Sequence, residues 1–337
     1  MTSTMKAWQF TSAAGGLENN LFQPASGTPK PKITPTQVLV EVHSASINPA
    51  DHKVPELGLI AKAVVPSPSI PGFDFCGRIV EKGEGVDGFS VDQMVFGSCI
   101  GRLGKGSLAE YISVDKEMIA AKPDEVTVDG AASCGVVGIT ALQTLKSNVK
   151  EGNHVFVNGG SGGTGVWTIQ IAKALGCRVT TSCSEANIGL CKSLGADEVL
   201  DYKSRDIVEQ LTEKGQVFDL IVDNIGTPAN LYSSSHLILK PTGKFMQIGA
   251  PLGLASGISL MSRFIRPGFL GGGKRPFHLV LAKVHGEDFA QLATWFKDGK
   301  VKPVIDSVFE FDEVPKAFEK LKTGRAKGKI VVRVKKQ

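Results

Sequence analysis

The chain has 337 residues, of which 42% are hydrophobic and 21% are charged. These values are ordinary for a soluble globular protein, and the length predicts two domains with ample core. The formal net charge of +5 is small and dispersed, which argues against nucleic acid as a partner. No apolar stretch is long enough to span a bilayer, so no integral membrane segment is expected.

The cysteines indicate the compartment. Six are present, and no two of them have CxxC spacing. No signal peptide is predicted over residues 1–6. The pattern is therefore typical of a reduced, cytoplasmic protein with free thiols.

The first 125 or so residues are predicted to be rich in β-strands and turns. The predicted strands cover residues 6–10, 37–48, 71–83, 91–97 and 106–114. The proline-rich stretch 54–71 is expected to be an irregular, lid-like loop. Short strands separated by turn signals favour a small barrel.

The pattern changes after residue 124, where helical and strand-like segments begin to alternate. Residues 129–147 have helical spacing. The alternating segments that follow are 154–158, 166–176, 178–183, 187–195, 198–200, 204–214, 218–223, 229–239 and 243–248. This alternation predicts a doubly wound parallel sheet.

The last part of the chain is expected to return to the first domain. Residues 251–276 are rich in Gly, Ser and Pro and are predicted to form a mobile loop over the site. A helix is predicted over 288–300. The strand–helix–strand pattern over 307–334 is expected to rejoin the β-rich domain.

One stretch of the alternating region carries a nucleotide-binding signal. The buried strand 154–158 precedes a glycine turn, and a helix follows. Gly160, Gly163 and Gly165 approximate the dinucleotide fingerprint, with an altered spacing, in the strand–turn–helix context that the motif needs. Free N–H groups and the positive end of the helix suit an anion. The turn is therefore predicted to hold a diphosphate, and the alternative is a flexible glycine loop.

The three glycines of this turn and the residues between them are predicted to contact the cofactor. These residues are Gly160, Ser161, Gly162, Gly163, Thr164 and Gly165. Asn224 and Gly249 end later strands of the sheet, and ligands bind at the carboxyl ends of such strands. Both are predicted to contact the cofactor.

The end of the second strand bears on the choice between NADPH and NADH. An NAD site would place an acid there, on the ribose hydroxyls. Here the strand ends in hydroxyl side chains, and Ser182 and Ser184 are expected to receive a 2′-phosphate. Glu185, one position further, argues the other way. The predicted cofactor is NADPH.

These motifs make the chain similar to the medium-chain dehydrogenase/reductase superfamily over nearly its whole length. The matching stretches are 46–51, 71–77, 158–165, 193–197 and 328–332. Within that superfamily the chain resembles the zinc-free quinone oxidoreductases, including chloroplast-envelope quinone oxidoreductase homologues and fungal enoyl-reductase-like proteins. The resemblance implies an α/β fold with a GroES-like β-barrel catalytic domain, over residues 1–126 and 281–337. It also implies a Rossmann doubly wound parallel-sheet domain that binds NADP(H), over residues 127–280.

The resemblance also implies that no metal is bound. Zinc alcohol dehydrogenases have ligands at the positions of Asn48, Phe73 and Val136, and Phe73 cannot bind a metal. Catalytic zinc needs three N, S or O ligands. Cys76 and Cys134 lie nearby, but a small buried cysteine is commonly a hydrophobe.

Several site residues follow from matching positions in the family. Asn48 matches a residue that contacts the nicotinamide ribose or the substrate oxygen, and Lys53 matches a Tyr or Lys that stabilises or protonates an enolate. Lys53 is equally compatible with a solvent-facing lysine. Thr140 matches the neighbourhood of the nicotinamide carboxamide, Tyr202 matches a tyrosine near the 2′-phosphate, and Lys329 is assigned to the cofactor site. The basic residue that relatives have near Ala186 is missing, and Lys203 or Arg205 are its candidate substitutes.

The expected function is zinc-independent hydride transfer from NADPH to a quinone or an activated enone, in a monomer or homodimer. Two alternatives remain open. One is an enoyl reductase for carrier-bound polyketide or fatty acyl chains, with Arg263, Arg266, Lys274 and Arg275 as a docking patch or a merely solvated loop. The other is a non-catalytic, crystallin-like NADPH-binding protein.

Overall fold

A computed structural model describes residues 4–249 and 274–335. It divides into two compact units. The terminal unit comprises Met1–Ile139 and Lys283–Gln337, and the central unit comprises Thr140–Ala282. None of the helices that the structure describes is long and apolar enough to cross a membrane. The predicted loop 251–276, with Arg263 and Arg266, lies outside the described residues except for its last three positions.

The terminal unit is built around a mostly antiparallel sheet. Its strands are β3 (Gln37–Ile47), β4 (Asp74–Lys82), β5 (Met94–Ser98), β6 (Tyr111–Asp115), β7 (Ile119–Ala121), β14 (Ile305–Glu310) and β15 (Lys329–Arg333). The order is β14-β15-β3-β4-β5-β7, and β6 also pairs with β3. In β3 the side chains of Val38, Val40 and Val42 are buried in one core cluster, as its alternating pattern predicts.

The C-terminal return to this sheet is confirmed. Helix α8 (Gly286–Lys297) precedes β14, and helix α9 (Val314–Lys322) connects β14 to β15. β15 pairs with β14 in parallel and with β3 antiparallel. The two ends of the chain therefore form one sheet.

Two N-terminal predictions need correction. The stretch 54–71 contains a helix, α2 (Leu59–Val64), because its prolines flank a segment of good helix formers. A short helix α1 (Pro49–Lys53) precedes it. Residues 6–10 are not a regular strand. A short strand β1 (Thr4–Met5) pairs with β2 (Thr28–Pro29), and the next residues make only isolated bridges.

The terminal unit extends past residue 126 because helix α3 (Val128–Ala132) is tied to its strands. Ser44 Oγ, on β3, donates a hydrogen bond to Asp129 Oδ1 at 2.6 Å. Arg333, at the end of β15, binds the other carboxylate oxygen through Nε at 2.9 Å. The division between the units falls inside helix α4 (Gly135–Lys146).

The central unit contains the predicted parallel sheet. Its strands are β8 (His154–Asn158), β9 (Arg178–Cys183), β10 (Glu198–Asp201), β11 (Phe218–Asp223), β12 (Leu239–Gln247) and β13 (Phe277–Leu279). Their order is β10-β9-β8-β11-β12-β13, and all the pairings are parallel. When β8 to β13 are numbered 1 to 6, this is the 3-2-1-4-5-6 order of dinucleotide-binding sheets. All strands run in the same direction, but the order in which the chain adds them reverses between β8 and β11.

The helices that connect these strands begin within three residues of the predicted starts, with one exception. They are α5 (Gly163–Ala174), α6 (Ile188–Ser193) and α7 (Ile207–Thr212). The predicted helix 229–239 is wrong, because the segment forms turns and one short 3₁₀ helix, Ser235–Leu237. Ser233 Oγ donates to the carbonyl of Asn230 at 3.0 Å. Serine side chains that bond to nearby backbone compete with helix formation.

Candidate functional site

The predicted site residues of the terminal unit meet where β3 ends and α1 begins. Asn48 stands between the two elements, with Pro49 at the first helical position. The N–H of Asn48 donates to Asp51 Oδ2 at 2.6 Å, as in the returning half of a capping box. The Asn-Pro-Ala-Asp order thus fixes the backbone of Asn48 locally.

The side chain of Asn48 is held by residues that are distant in sequence. Lys329, the first residue of β15, donates from Nζ to Asn48 Oδ1 at 2.5 Å and to the carbonyl of Ile47 at 2.9 Å. Asp74, the first residue of β4, accepts from Asn48 Nδ2 at 2.8 Å and lies 3.3 Å from Lys329 Nζ. Ser46, Asn48, Asp51, Asp74 and Lys329 are called the Asn48 cluster below.

Asp74 makes further contacts within this cluster. The N–H of Val136 donates to its Oδ1 at 2.7 Å, and Ser46 Oγ donates to its Oδ2 at 3.2 Å. Asp74 is completely buried, and Lys329 is 3% exposed. The two form an ion pair that is sealed from water and bonded to polar neighbours on several sides.

Asp51 differs from Asp74 in its environment. Burial raises the pKa of Asp51 to about 8, the negative charge of Asp74 adds to the rise, and the N–H of Asn48 and the Lys329 ammonium oppose it. Its Oδ1 has no hydrogen-bond partner among residues 4–249 and 274–335. Asp51 also lines a cavity of about 20 Å³, which is room for one water. The raised pKa favours the protonated form of this carboxyl group near neutral pH.

Lys53 is the last residue of α1 and is half-buried. Burial lowers the pKa of its ammonium group. Its neighbour His52 bonds through Nδ1 to Glu56 Oε2 at 3.0 Å. This environment differs from that of a fully solvated lysine, and the catalytic role of Lys53 stays a prediction.

In the central unit the glycine loop, residues 159–165, follows β8 directly. A β-carbon at Gly160 would lie 2.0 Å from Thr181 Oγ1, and one at Gly165 would lie 2.1 Å from the carbonyl oxygen of Gly159. These two positions need glycine because the loop packs against β9 and the start of α5. At Gly162 the nearest atom would be 3.6 Å away, an ordinary contact. The protein's own packing therefore does not demand glycine at position 162.

The loop is braced from β9 by a side chain that the sequence assigns to the cofactor. Ser182 is buried, donates to Asn158 Oδ1 at 2.7 Å and accepts from the N–H of Gly159 at 3.0 Å. Asn158 Nδ2 donates in turn to Asp223 Oδ1 at 2.9 Å. The Ser182 hydroxyl is thus engaged within the protein, where it links β9, β8 and β11.

Asn187 is a residue of this region that the sequence did not indicate. Its Nδ2 donates to Ser161 Oγ at 3.1 Å and to Ser184 Oγ at 3.3 Å. The Asn187 Oδ1 is buried and has no partner in the described part of the chain. Asn187 therefore joins the glycine loop to the end of β9 and brings two predicted site residues together. A lone Asn after a strand has no motif that could have marked it.

Three residues near the end of β10 were candidates for a 2′-phosphate. Tyr202 is 50% exposed, and Lys203 is also exposed. Arg205 binds Glu213, with Nη1 at 2.8 Å from Oε2. The guanidinium of Arg205 is therefore already paired with a carboxylate, whereas the predicted role requires it to bind a phosphate.

The remaining predicted cofactor residues lie beside the reversal point of the sheet or in α4. Asn224 Nδ2 donates to the carbonyl of Asn158 at 3.1 Å, which links the ends of β11 and β8. Its Oδ1 is buried without a partner among the described residues. A β-carbon at Gly249 would lie 2.0 Å from the Asn224 carbonyl oxygen. Thr140 is buried in α4.

Among the described residues, no group of three or more His, Cys, Asp or Glu side chains is arranged to hold a metal ion. Phe73 belongs to the apolar core. Burial raises the pKa of Cys76 to about 12 and that of Cys134 well above its usual value, which disfavours the thiolate that would bind zinc. The absence of a bound metal stays a prediction.

Comparison with known proteins agrees with this architecture. Residues 34–124 match the alcohol dehydrogenase GroES-like domain, and residues 194–332 match the zinc-binding dehydrogenase family. The chain is 43% identical to the trans-enoyl reductase pgmF of Aspergillus terreus, over 98% of this chain and 97% of that protein. It is 32% identical to the chloroplast envelope quinone oxidoreductase homolog of Arabidopsis thaliana, over 97% and 98% of the two chains.

Solved structures show the same relation. The quinone oxidoreductase from Coxiella burnetii superposes with a TM-score of 0.84 at 29% identity, over 99% of this chain and 100% of that one. With a GroES-like domain and an NAD(P)-binding Rossmann sheet both present, the chain belongs to the medium-chain dehydrogenase/reductase superfamily of oxidoreductases.

Proposed function

We propose that the chain reduces quinones or α,β-unsaturated carbonyl compounds with hydride from NADPH and without a catalytic zinc. The observation that carries the proposal is the Asn48 cluster, which holds an amide where zinc enzymes have a metal ligand, with Phe73 at a second ligand position. An acceptor that is activated by conjugation needs hydrogen-bond donors for its developing oxygen charge. The names of the trans-enoyl reductase and quinone oxidoreductase relatives support the same chemistry.

Two side chains of the terminal unit are assigned to the acceptor. NADPH, when bound, supplies the hydride. Asn48 Nδ2 donates a hydrogen bond to the oxygen on which negative charge develops. Lys53 stabilises the same charge or delivers the proton, and burial favours this role because it lowers the pKa of its ammonium group.

The central unit offers a fitting site for the cofactor. Helix α5 spans Gly163–Ala174, and its first N–H groups follow the glycine loop, an arrangement that suits a diphosphate. The position of Gly162 leaves space, and the unpartnered Asn224 Oδ1 can accept a hydrogen bond from a ribose or amide group. No carboxylate ends β9, which supports NADPH over NADH. Ser184 and Lys203 are assigned to the 2′-phosphate.

The cofactor assignment is tested by fluorescence titration with NADPH and NADH. Lys203→Ala should weaken NADPH binding roughly tenfold, the loss expected for one charge-assisted contact, and leave NADH binding unchanged. Arg205→Ala is the matched control because Glu213 already occupies that guanidinium. Equal affinities of the wild type for both cofactors would reject the NADPH assignment.

The activity is tested by following NADPH oxidation with a panel of quinones and enones, together with simple ketones. Turnover of conjugated acceptors without turnover of ketones, in protein that contains no zinc by elemental analysis, is the expected result. Reduction of ketones that depends on added zinc would overturn the proposal.

A second candidate is an enoyl reductase that acts on acyl chains bound to a carrier protein. The 43% identity to a trans-enoyl reductase favours it. The same assay separates the two functions when it compares a free enone with an enoyl thioester on a carrier protein. A strong preference for the carrier-bound thioester supports the second candidate.

A further inference from the structure

The side-chain amide of Asn48 has only one orientation that satisfies its neighbours. The Lys329 ammonium can only donate hydrogen bonds, so the amide atom that faces it at 2.5 Å must be oxygen. The atom that faces Asp74 Oδ2 at 2.8 Å must then be nitrogen. The usual ambiguity between the oxygen and nitrogen of an amide is removed by charged groups on both sides.

The hydrogen-bond capacity of the amide is then largely used. One lone pair of Oδ1 accepts from Lys329, and one hydrogen of Nδ2 goes to Asp74. A single N–H remains as the only donor that the amide can offer to a bound molecule. Asn48 is therefore prepared to donate to an oxygen.

Lys329 has no donor left for another molecule. Its three N–H groups match the three acceptors around it, which are the carbonyl of Ile47, Asn48 Oδ1 and Asp74 Oδ2. It is also almost completely buried. Any effect of Lys329 on the reaction must therefore pass through its neighbours.

An ion pair in such a position is a costly way to stabilise a fold. Removing two charges from water costs several kcal/mol per ion, and a buried pair often contributes no more than apolar side chains of equal volume. Holding a polar group in one orientation is a use that apolar side chains cannot replace. This consideration favours a role in orienting Asn48.

We propose that Lys329 and Asp74 are positioning residues that lock the Asn48 amide, so that its remaining N–H donates to the oxygen anion formed on the substrate during hydride transfer. The inference rests on the proposed function, since it assigns the donor of that reaction. It also gives Lys329 an indirect role in place of direct contact with the cofactor.

The test uses the paired variant Lys329→Met/Asp74→Asn, which removes both charges together and leaves neither one unpaired in the interior. It is made in the wild-type background and in an Asn48→Ala background. The readouts are kcat and KM for an enone or quinone that the wild type reduces, NADPH affinity and thermal stability. Ser44→Ala is the control, because it removes a buried hydrogen bond from the same strand to another carboxylate, Asp129, and does not touch the Asn48 cluster.

In the wild-type background the paired variant should lower kcat about tenfold or more, with NADPH affinity unchanged within about twofold. In the Asn48→Ala background the same pair should change kcat by less than about twofold, since its target is gone. Ser44→Ala should keep kcat near the wild-type value. Equal losses in both backgrounds would show a structural role, and weaker NADPH binding would show a direct contact; either result overturns the proposal.

A second measurement needs no change to the ion pair. In the wild-type protein, NMR of the Asn48 side-chain amide, assigned by its loss in Asn48→Ala, should show hindered rotation and one proton protected from solvent exchange. Two rapidly exchanging protons would overturn the locked orientation even if the paired variant fails to fold. A wild type that reduces no quinone or enone would instead refute the proposed function, while this NMR result still reports on the lock.

Discussion

The Asn48 cluster and the glycine loop both bury polar groups, but they do so with different chemistry. The cluster holds an ammonium and a carboxylate at 3.3 Å in the interior. The glycine loop is braced by neutral groups, with Ser182 between Asn158 and the N–H of Gly159. Buried charged groups hold a hydrogen-bonding partner in one orientation, and removing one member of the pair costs much folding free energy. Neutral hydrogen bonds hold a loop in its conformation with a smaller desolvation cost.

The difference also concerns what each region can offer to a ligand. In the cluster most donors and acceptors are paired with described residues, and one N–H of the Asn48 amide and Asp51 Oδ1 remain. Around the glycine loop two buried oxygens still lack partners among the described residues, Asn187 Oδ1 and Asn224 Oδ1. We therefore expect substitutions in the cluster to affect stability and turnover, and substitutions in the loop to affect cofactor affinity.

The largest expected effect comes from breaking the ion pair on one side only. Lys329→Met leaves Asp74 charged and buried, so the free energy of unfolding should fall by about 3–5 kcal/mol in urea denaturation. Lys173→Met is the control, because the pair of Lys173 with Asp197 at 2.9 Å is partly exposed. That control should change stability by less than about 1 kcal/mol. Similar losses in both variants would remove the contrast between buried and exposed pairs.

The next effect concerns turnover. Lys53→Ala should lower kcat and kcat/KM on an enone together, by roughly a hundredfold, because a donor to the developing charge is lost. A quinone should suffer less, since water can protonate its reduced oxygens. NADPH affinity should be nearly unchanged.

Steady-state kinetics with one enone and one quinone decides this prediction. A merely solvated Lys53 gives changes within about twofold for both acceptors. In that case Asn48 and backbone N–H groups would be the donors that stabilise the charge developing on the acceptor.

A smaller effect is expected in the glycine loop. Gly162→Val meets no close protein atom at its β-carbon, so the fold should persist. The larger side chain should nevertheless weaken NADPH binding about tenfold or more, because the diphosphate approaches the backbone there. Circular dichroism and fluorescence titration measure the two properties separately.

Gly165→Ala provides the comparison for this variant. Its β-carbon would lie 2.1 Å from the carbonyl oxygen of Gly159, so this variant should lose stability as well as affinity. A folded Gly162→Val protein with normal NADPH affinity would place the diphosphate elsewhere.

The sequence predicted the glycine loop well because its signal is local. A strand, glycines at short spacing and a helix lie within about twenty residues, and the structure has them in that order. The helix predicted over 229–239 was wrong because its apolar spacing did not reveal the competing serine hydrogen bonds. The α2 helix was missed because prolines on both sides dominated the pattern.

The candidate site could be predicted only in part. Asn48 and Lys329 were both singled out, yet they are 281 residues apart, and no local pattern could show that one holds the other. The sequence assigns the Ser182 hydroxyl to a 2′-phosphate, but the burial of this side chain depends on how β8 and β9 pair. The role of a lone residue such as Asn187 can be recognised only when the fold brings its hydrogen-bond partners together.

The last prediction concerns Asp51, whose pKa is raised to about 8 from 3.8. Between these values the folded state holds a proton that the unfolded state has released. The free energy of unfolding should therefore fall as pH rises from about 4 to about 8, with a slope of at most about 1.4 kcal/mol per pH unit, and then level off. Asp51→Asn, which mimics the neutral carboxyl group, should lack this fall and gain stability relative to the wild type as pH increases.

Urea denaturation at pH 5, 6, 7 and 8 measures the difference between the two proteins. Asp197→Asn is the control, since its contacts with the N–H of Val179 and with Lys173 lower the pKa of Asp197 and outweigh its partial burial. The stability that Asp197 contributes is present above its unfolded pKa and is lost only in acid, so this variant should run parallel to the wild type from pH 6 to 8. The Asp74 charge and the Lys329 ammonium act on Asp51 in opposite directions. Parallel curves for Asp51→Asn and the wild type would mean that Asp51 is ionised in the folded protein, and the cluster would then hold two carboxylates against one ammonium.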